Sequence, residues 1–220
     1  MNNMLYMDSQ NITLPLHNKT NIKVDNKHNL HTSWIIWYHS PSDKSWSKDS
    51  YKSILEINTV EDYLVLENSW LNCLPSVSEG MFFIMRKLNN NKIIFPLWED
   101  PNNKMGGYWS FKVDNEHSQE FWNKLCRFTI GETMCNENEN SMQINGISIS
   151  PKKTFCIIKI WNDNCLNQDI SILSDKLSFL NLNEVKYSSH DKNLERDAEK
   201  LQRYKDKMRD RRKQSTGFNY

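Results

Sequence analysis

Trp46 stands at the centre of SPSDKSWSKDS (40–50), with Ser42, Asp43, Lys44, Ser45, Ser47, Lys48 and Asp49 around it and no apolar neighbour along the chain. Tryptophan is usually a core residue because of its size. In so polar a loop the better reading is a ring held out for a ligand. Trp98 ends the apolar run KIIFPLW (92–98), where the chain turns into a second polar loop, and Glu99 follows it. A ring beside a carboxylate has a specific use: the ring stacks on a base and the carboxylate accepts hydrogen bonds from the base edge. Guanine offers two adjacent donors, N1–H and N2–H, which match the two oxygens of one carboxylate. A base carrying positive charge, as methylation at N7 would supply, gains further from two tryptophan faces. Taken alone, Glu99 would read as a solvated turn residue.

Trp161 ends TFCIIKIW (154–161). Lys159, two residues earlier, points to the same face of a strand, and Lys152 and Lys153 lie in the preceding turn. Lysines beside an aromatic suit a phosphate chain attached to a stacked base, although each turn lysine taken singly reads as solvated. Trp34, Trp37, Trp109 and Trp122 sit within apolar runs and read as core. Other chemistry is thin. Gly106-Gly107 is a bare pair, a turn or bulge and not a phosphate loop. His28 and His31 do not make a metal site, and no nucleophile stands with a base. The expectation is a binding protein without cofactor or metal, not an enzyme.

These residues need elements to hold them. TSWIIWYH (32–39) and SILEINTV (53–60) read as strands. Thr59 followed by Asp62 is a capping signature that opens a helix through YLVLENSW. MFFIMRK (81–87) and KIIFPLW (92–98) read as a hairpin closed at Asn89-Asn90-Asn91, and YWSFKV (108–113) as a strand. The segment 117–132 has apolar residues at helical spacing, with Gly131 at its end. INGISIS (144–150) and TFCIIKIW are strands joined by Pro151-Lys152-Lys153, 169–180 reads as a helix and 183–189 as a last strand. Leu194, Ala198, Leu201, Tyr204 and Met208 recur every three or four positions, making 191–213 a narrow amphipathic helix. The sum is an α+β domain: seven or eight short strands, mostly hairpin-connected, in one antiparallel sheet with helices on one face and a ligand on the other.

Composition bounds the rest. At 220 residues the chain suffices for one domain with a sizeable core. A net charge of +1 excludes a broad polybasic surface, so any nucleic-acid contact must be local. Five cysteines without a CxxC pair read as free thiols of a reducing compartment. There is no apolar run of membrane-spanning length and no signal-peptide stretch, which points to the cytoplasm. Residues 1–27 lack periodicity and are expected to be a disordered tail; 28–190 is the domain, and 191–220 the charged helix and tail. The abundance of Asn and Lys suits an AT-rich genome, such as that of a protist or a giant DNA virus.

In order and spacing, HNLHTSWIIWYH, the lone Trp46, TVEDY, WEDPNNKMGGYW, FWNKLCRFTIGE, IIKIW and YSSH resemble the eukaryotic translation initiation factor 4E family, from about His28 to His190. The resemblance implies a curved antiparallel sheet with three long helices on its convex side and the 7-methylguanosine cap of messenger RNA on its concave side. It implies that Trp46 and Trp98 stack on the cap base and that Glu99 reads its edge. Trp161 would touch the N7 methyl group, and the Trp98 backbone N–H would meet guanine O6. The phosphate contacts depart from the pattern. Tyr108 stands where the family has a basic residue after Gly-Gly, Lys152 is nearest to its later arginine, and Ile157 replaces a lysine for which Lys159 is the substitute.

The partner face departs further. The family binds scaffold and repressor proteins through a Tyr-x-x-x-x-Leu-Φ helix on a dorsal patch. At that patch this chain has His28-Asn29-Leu30 for His-Pro-Leu, Leu64 for a tryptophan and Asn123-Lys124 for Leu-Glu, while Val60 and Gly131 are kept. The resemblance therefore implies an initiation factor, monomeric by itself, that recruits a diverged scaffold. The alternative is a protein that sequesters capped RNA because it lacks the scaffold site. The basic run Arg209–Lys213 would suit the RNA beyond the cap, and the apolar stripe of the same helix a partner or the domain itself.

Overall fold

The first two β-rich runs become adjacent strands. β1 (Asn29–His39) pairs antiparallel with β2 (Tyr51–Thr59), and the polar loop carrying Trp46 is their connection. The computed structural model describes residues 27–88, 92–137 and 143–216. β2 runs directly into α1 (Val60–Asn72) through the expected capping box: the Asp62 N–H donates to Thr59 Oγ1 at 3.1 Å and the Thr59 N–H to Asp62 Oδ2 at 2.9 Å. The chain continues through β3 (Met81–Lys87), β4 (Gly107–Asp114), α2 (Asn115–Ile130), β5 (Ile144–Pro151), β6 (Phe155–Asn162), β7 (Lys186–Ser189) and α3 (His190–Thr216).

The seven strands form one antiparallel sheet in the order β2-β1-β3-β5-β6-β4-β7, which is the α+β architecture expected. Only β1–β2 and β5–β6 are neighbours both along the chain and in the sheet. The other pairings are made across intervening segments, so hairpins connect less of the sheet than the short spacings suggested.

The sheet sorts its side chains with period two. Trp34, Ile36, Phe82, Ile84, Trp109, Phe111, Ile147, Ile149, Ile158 and Ile160 face α1 and α2, whose Tyr63, Leu66, Trp70, Trp122 and Leu125 complete the main core. The alternate residues Ile35, Trp37, Phe83, Met85, Tyr108 and Trp161 form a smaller apolar layer on the other face. The four tryptophans read as core are all buried.

Two local expectations are corrected. Residues 92–98 are not a strand: only Ile93 makes an isolated bridge, to Lys87. Pro96 has no N–H to give a ladder, and the Phe95 N–H donates to Asp100 Oδ2 at 3.0 Å. β3 pairs instead with β1 and β5, and the Asn89–Asn91 turn lies outside the described residues. Residues 169–180 form two short 3-10 turns, Ile170–Ile172 and Asp175–Leu177, not one helix. Asp169 and Ser174 side chains take the N–H groups of Ser171 and Lys176, a local pairing that competes with an α-helix. Leu173, Leu177 and Leu180 still cover the main core.

Gly131 stands at the end of α2 as expected and is its C-cap; its φ of −81° is helical, and Glu132, one residue on, takes the left-handed conformation at φ 52°. The Glu132 carboxylate accepts from Arg86 Nη1 at 2.7 Å; Arg86 is buried, stacks on Trp34 and also donates to Thr32 and to the Ile144 carbonyl. That fixed carboxylate holds a backbone position that an L-residue adopts at a cost of about 1–2 kcal/mol.

Of the expected N-terminal tail, only Lys27 is among the described residues. The amphipathic C-terminal helix is present and longer than expected, 27 residues, and its first turn packs on the open face of the sheet. No helix among the described residues is long and apolar enough to cross a membrane.

Candidate ligand-binding cleft

A cleft of about 630 Å³ opens over the smaller apolar layer. Trp46, Trp98, Glu99, Lys152, Lys159 and Trp161 all line it, so the structure brings together residues up to 115 positions apart in the chain. Lys153, the remaining expected anchor, is exposed on the β5–β6 turn and is not among the lining residues.

Trp161 is the floor. It is 2% exposed, and its indole N–H donates to Ser148 Oγ at 3.0 Å on the neighbouring strand, which fixes the ring. Ile157, Lys159 and Trp161 alternate on β6 and all face the cleft. Lys159 reaches over the Tyr108 ring at 4.0 Å and toward Trp98 at 5.8 Å. Burial first, and the Lys152 charge second, bring its ammonium down to about 8. An anion entering the cleft would meet Lys159 and Lys152 together. Tyr108, which stands where a basic residue was expected, thus serves as the platform for Lys159.

Trp46 is 56% exposed, as its polar loop suggested. One of its faces is covered by His39, with ring centroids 4.4 Å apart and planes at 7°. His39 is buried and its Nε2 lies 2.8 Å from the Ser45 carbonyl, so Nε2–H is the donor and the imidazole grips the loop at both ring and backbone. Tyr51 packs against both rings; burial, then the Glu99 charge, push its hydroxyl well above the ordinary tyrosine range, so it stays a neutral donor.

Trp98 and Glu99 sit on an irregular segment that needs its own scaffold. The Asp100 carboxylate accepts from the N–H of Phe95 and of Asn102, at 3.0 and 2.9 Å. Buried Asn103 donates to the carbonyls of Phe95 and Leu97, both at 2.8 Å, and Asn145 of β5 holds Asn102 and Asn103. Lys48, from the Trp46 loop, lies 3.9 Å over the Phe95 ring and so links the two tryptophan loops. Gly106 closes the segment where β6 approaches: a Cβ there would lie 1.9 Å from the Asn162 carbonyl oxygen, so only glycine fits. The Glu99 carboxylate is exposed at the rim and makes no hydrogen bond or ion pair among the described residues.

Sequence reasoning missed His39, Asp100, Asn103 and Lys48. Asp-Pro-Asn-Asn after Trp98 was a turn signal that could have been read as a self-capping loop. Nothing in the sequence placed His39 beneath Trp46. It also missed the wall made by α3: Leu194 and Asp197 line the cleft, and buried His190 lies 4.8 Å from Trp161, centroid to centroid. Burial, and then the Lys159 charge, hold His190 down at about 3, so it is a neutral ring.

The proposed partner residues lie on the helix-covered side. Val60 and Leu64 are exposed on α1, and Tyr63 Oη of that helix donates to the Asn123 carbonyl of α2 at 3.1 Å, which puts Asn123 and Lys124 on the adjoining flank. His28 is tied to the start of α1 by Glu61, at 2.7 Å from Nδ1, and Gly131 caps the far end of α2.

The family model for eukaryotic initiation factor 4E matches residues 29–205. Eukaryotic translation initiation factor 4E-2 of Schizosaccharomyces pombe is 28% identical over 175 residues, covering 74% of this chain and 68% of its own. Eukaryotic translation initiation factor 4E of Eremothecium gossypii is 30% identical over 157 residues, 69% of this chain and 70% of its own. Among solved structures, that of Ascaris suum eIF4E-3 with the m7G cap superposes with a TM-score of 0.61 at 25% identity, covering 75% of this chain and 92% of that one. The chain belongs to the eukaryotic initiation factor 4E family.

Proposed function

We propose that this protein binds the 7-methylguanosine cap of messenger RNA and acts as a translation initiation factor. The observation that carries the reading is the cleft itself. An exposed tryptophan backed on one face, a second tryptophan on a scaffolded loop and a carboxylate without a partner among the described residues share one opening with two lysines. Trp46 and Trp98 stack on the cationic base, Glu99 accepts from N1–H and N2–H, and Trp161 forms the wall met by the methyl group. Lys159 and Lys152 take the phosphates, with Lys153 in the outer field. Such a protein needs no cofactor and catalyses nothing. Residues 28–190 make the cap-binding domain and 191–220 an appended helix and tail, and the site of action is the cytoplasm, the host's if the gene is viral.

Tryptophan fluorescence titration with 7-methyl-GTP and GTP tests this. The methylated nucleotide binds at least tenfold more tightly, and Trp46→Ala or Trp98→Ala each lose about 1–3 kcal/mol of that binding. Equal affinity for both nucleotides would sink the reading. A scaffold protein co-purifying with the chain from its own cells separates an initiation factor from a sequestering protein.

A further inference from the structure

Charge along this chain is divided abruptly. From Lys200 to Lys213 there are eight basic and two acidic residues, whereas residues 1–199 carry 20 basic and 25 acidic ones. The excess positive charge therefore belongs to the second half of α3. Where that half sits follows from the first half. The His190 N–H donates to the Gly106 carbonyl at 3.0 Å, and Asn193 Nδ2 donates to Tyr108 Oη at 3.3 Å. One turn on, Leu194 and Asp197 line the cleft. From Glu195 to Arg209 every side chain is exposed, so the helix leaves the cleft wall and stands in solvent.

The face that leaves the cleft has a definite chemistry. Positions 194, 197, 201, 204 and 208 recur at steps of three and four and share one side of a helix. The cleft-lining pair Leu194 and Asp197 thus continues outward as Leu201, Tyr204 and Met208, each exposed. Basic side chains flank that stripe on both edges: Lys200, Arg203, Lys207 and Arg211 on one, Lys205 and Arg209 on the other. Three of them make ion pairs within the helix, Lys200 with Asp197, Arg203 with Glu199 and Arg209 with Asp206. Exposed pairs of this kind are worth little, and phosphate competes for them readily. A stripe with an aromatic ring between two rows of cations is how proteins hold single-stranded nucleic acid without reading its sequence: bases rest on the rings and phosphates meet the cations.

We propose that the outer half of α3 is a second binding site, for the single-stranded RNA that continues from a nucleotide held in the cleft. It rests on the cap reading for what fills the cleft, but not for the helix's affinity for a polyanion. Continuity with the cleft wall and the charge division favour RNA over a protein helix docked on the apolar stripe.

The test compares the full chain with the variant K205Q/K207Q/R209Q/R211Q and with Tyr204→Ala, each shown by circular dichroism to keep its helix. The ligands are 7-methyl-GTP, a capped unstructured 12-nucleotide RNA and the same RNA uncapped, at 50 and 200 mM salt. The wild-type chain binds capped RNA about tenfold more tightly than 7-methyl-GTP at the lower salt, and the advantage shrinks at the higher. The quadruple variant loses the advantage and leaves 7-methyl-GTP affinity unchanged; its log–log salt slope flattens by about 2–3. Tyr204→Ala loses part of the advantage at both salts. Equal wild-type affinity for capped RNA and 7-methyl-GTP overturns the proposal, and so does a quadruple variant that keeps the advantage. If the wild-type chain fails to prefer 7-methyl-GTP over GTP, the cap reading falls. Uncapped RNA binding that the quadruple variant loses would then still uphold the helix site.

Discussion

His39 and Trp46 lie ring on ring, 4.4 Å between centroids and 7° between planes, with the imidazole buried and the indole at the surface. A loop made of serines, lysines and aspartates cannot orient a large ring by itself, so the plane of Trp46 is set from beneath by β1. The Nε2–H bond to the Ser45 carbonyl fixes the imidazole in turn and leaves Nδ1 buried without a partner among the described residues. His39→Ala removes the support, and 7-methyl-GTP affinity falls about 3- to 10-fold, the worth of one aromatic contact. His39→Phe keeps the ring and most of the affinity. Fluorescence titration of both variants decides it; an unchanged alanine variant would mean that the ligand alone orders Trp46.

Lys159 gives the cleft a pH dependence of known sign. Burial and the Lys152 charge bring its ammonium to about 8, so the cation proposed to take phosphate is lost as pH rises through and above that value. The ratio of affinities for 7-methyl-GTP and 7-methylguanosine isolates the phosphate contribution, because base ionisation affects both ligands alike. Between pH 7.5 and 9.5 the ratio falls in the wild-type chain and stays flat in Lys159→Arg, whose guanidinium does not titrate. Bound phosphate itself raises the lysine, so the fall begins somewhat above 8. For folding the sign reverses: the unfolded chain holds this proton longer, so the site's contribution to stability rises between about 8 and the free-lysine value. A ratio equally pH-dependent in both proteins would remove Lys159 from the phosphate site.

Much of the cleft was legible because its residues break local rules. A tryptophan among serines, and a Trp-Glu at the edge of a polar loop, conflict with their surroundings, and such conflicts mark ligand sites. Strands were legible for the opposite reason, since residue type and burial agree: 34–37 and 81–85 are unbroken apolar runs buried throughout, and burial alternates along 155–160. Residues 92–98 failed because an apolar run alone does not distinguish a ladder strand from a loop whose N–H groups go to Asp100. His190 was invisible because its role depends on what lies across the sheet; His39 and Asn103 act on loop atoms six to eight residues away that fold back onto them, a return that no periodicity encodes. The Lys159 ammonium over the Tyr108 ring is likewise a relationship between paired strands that spacing along the chain does not encode.

The Arg86–Glu132 pair predicts an ordered stability series. Arg86 is buried on Trp34, and Glu132 is held left-handed to reach it. Glu132→Ala leaves a buried cation without its carboxylate and destabilises the fold by about 3–5 kcal/mol. Glu132→Gly loses the same ion pair but relieves the backbone, so it is less damaging by about 1 kcal/mol. Urea denaturation should rank wild type above Glu132→Gly and that above Glu132→Ala. Equal stability of all three would show that the other hydrogen bonds of Arg86 suffice.

The partner face is where this chain should differ most in behaviour from a scaffold-binding relative. Leu64 is 54% exposed on α1, and Lys124 on α2 is paired with Glu120 at 2.6 Å. A partner helix of the Tyr-x-x-x-x-Leu-Φ type finds Leu64 in place of the tryptophan it would cover and Lys124 in place of the carboxylate it would pair with, and any basic residue it brings meets Lys124 as a like charge. We therefore expect such a peptide to bind the wild-type chain more weakly than about 1 μM. Leu64→Trp with Lys124→Glu supplies the ring and reverses the charge, and affinity rises about tenfold or more, since a buried tryptophan anchor is worth 2 kcal/mol or above. The gain should shrink in high salt by the part due to Lys124→Glu and persist for the part due to Leu64→Trp. Calorimetric titration of the four proteins, wild type, each single variant and the double, separates the two contributions. Submicromolar binding to the unmodified chain would mean that Val60 and the α1–α2 flank suffice, and that this protein takes the ordinary scaffold despite its altered residues.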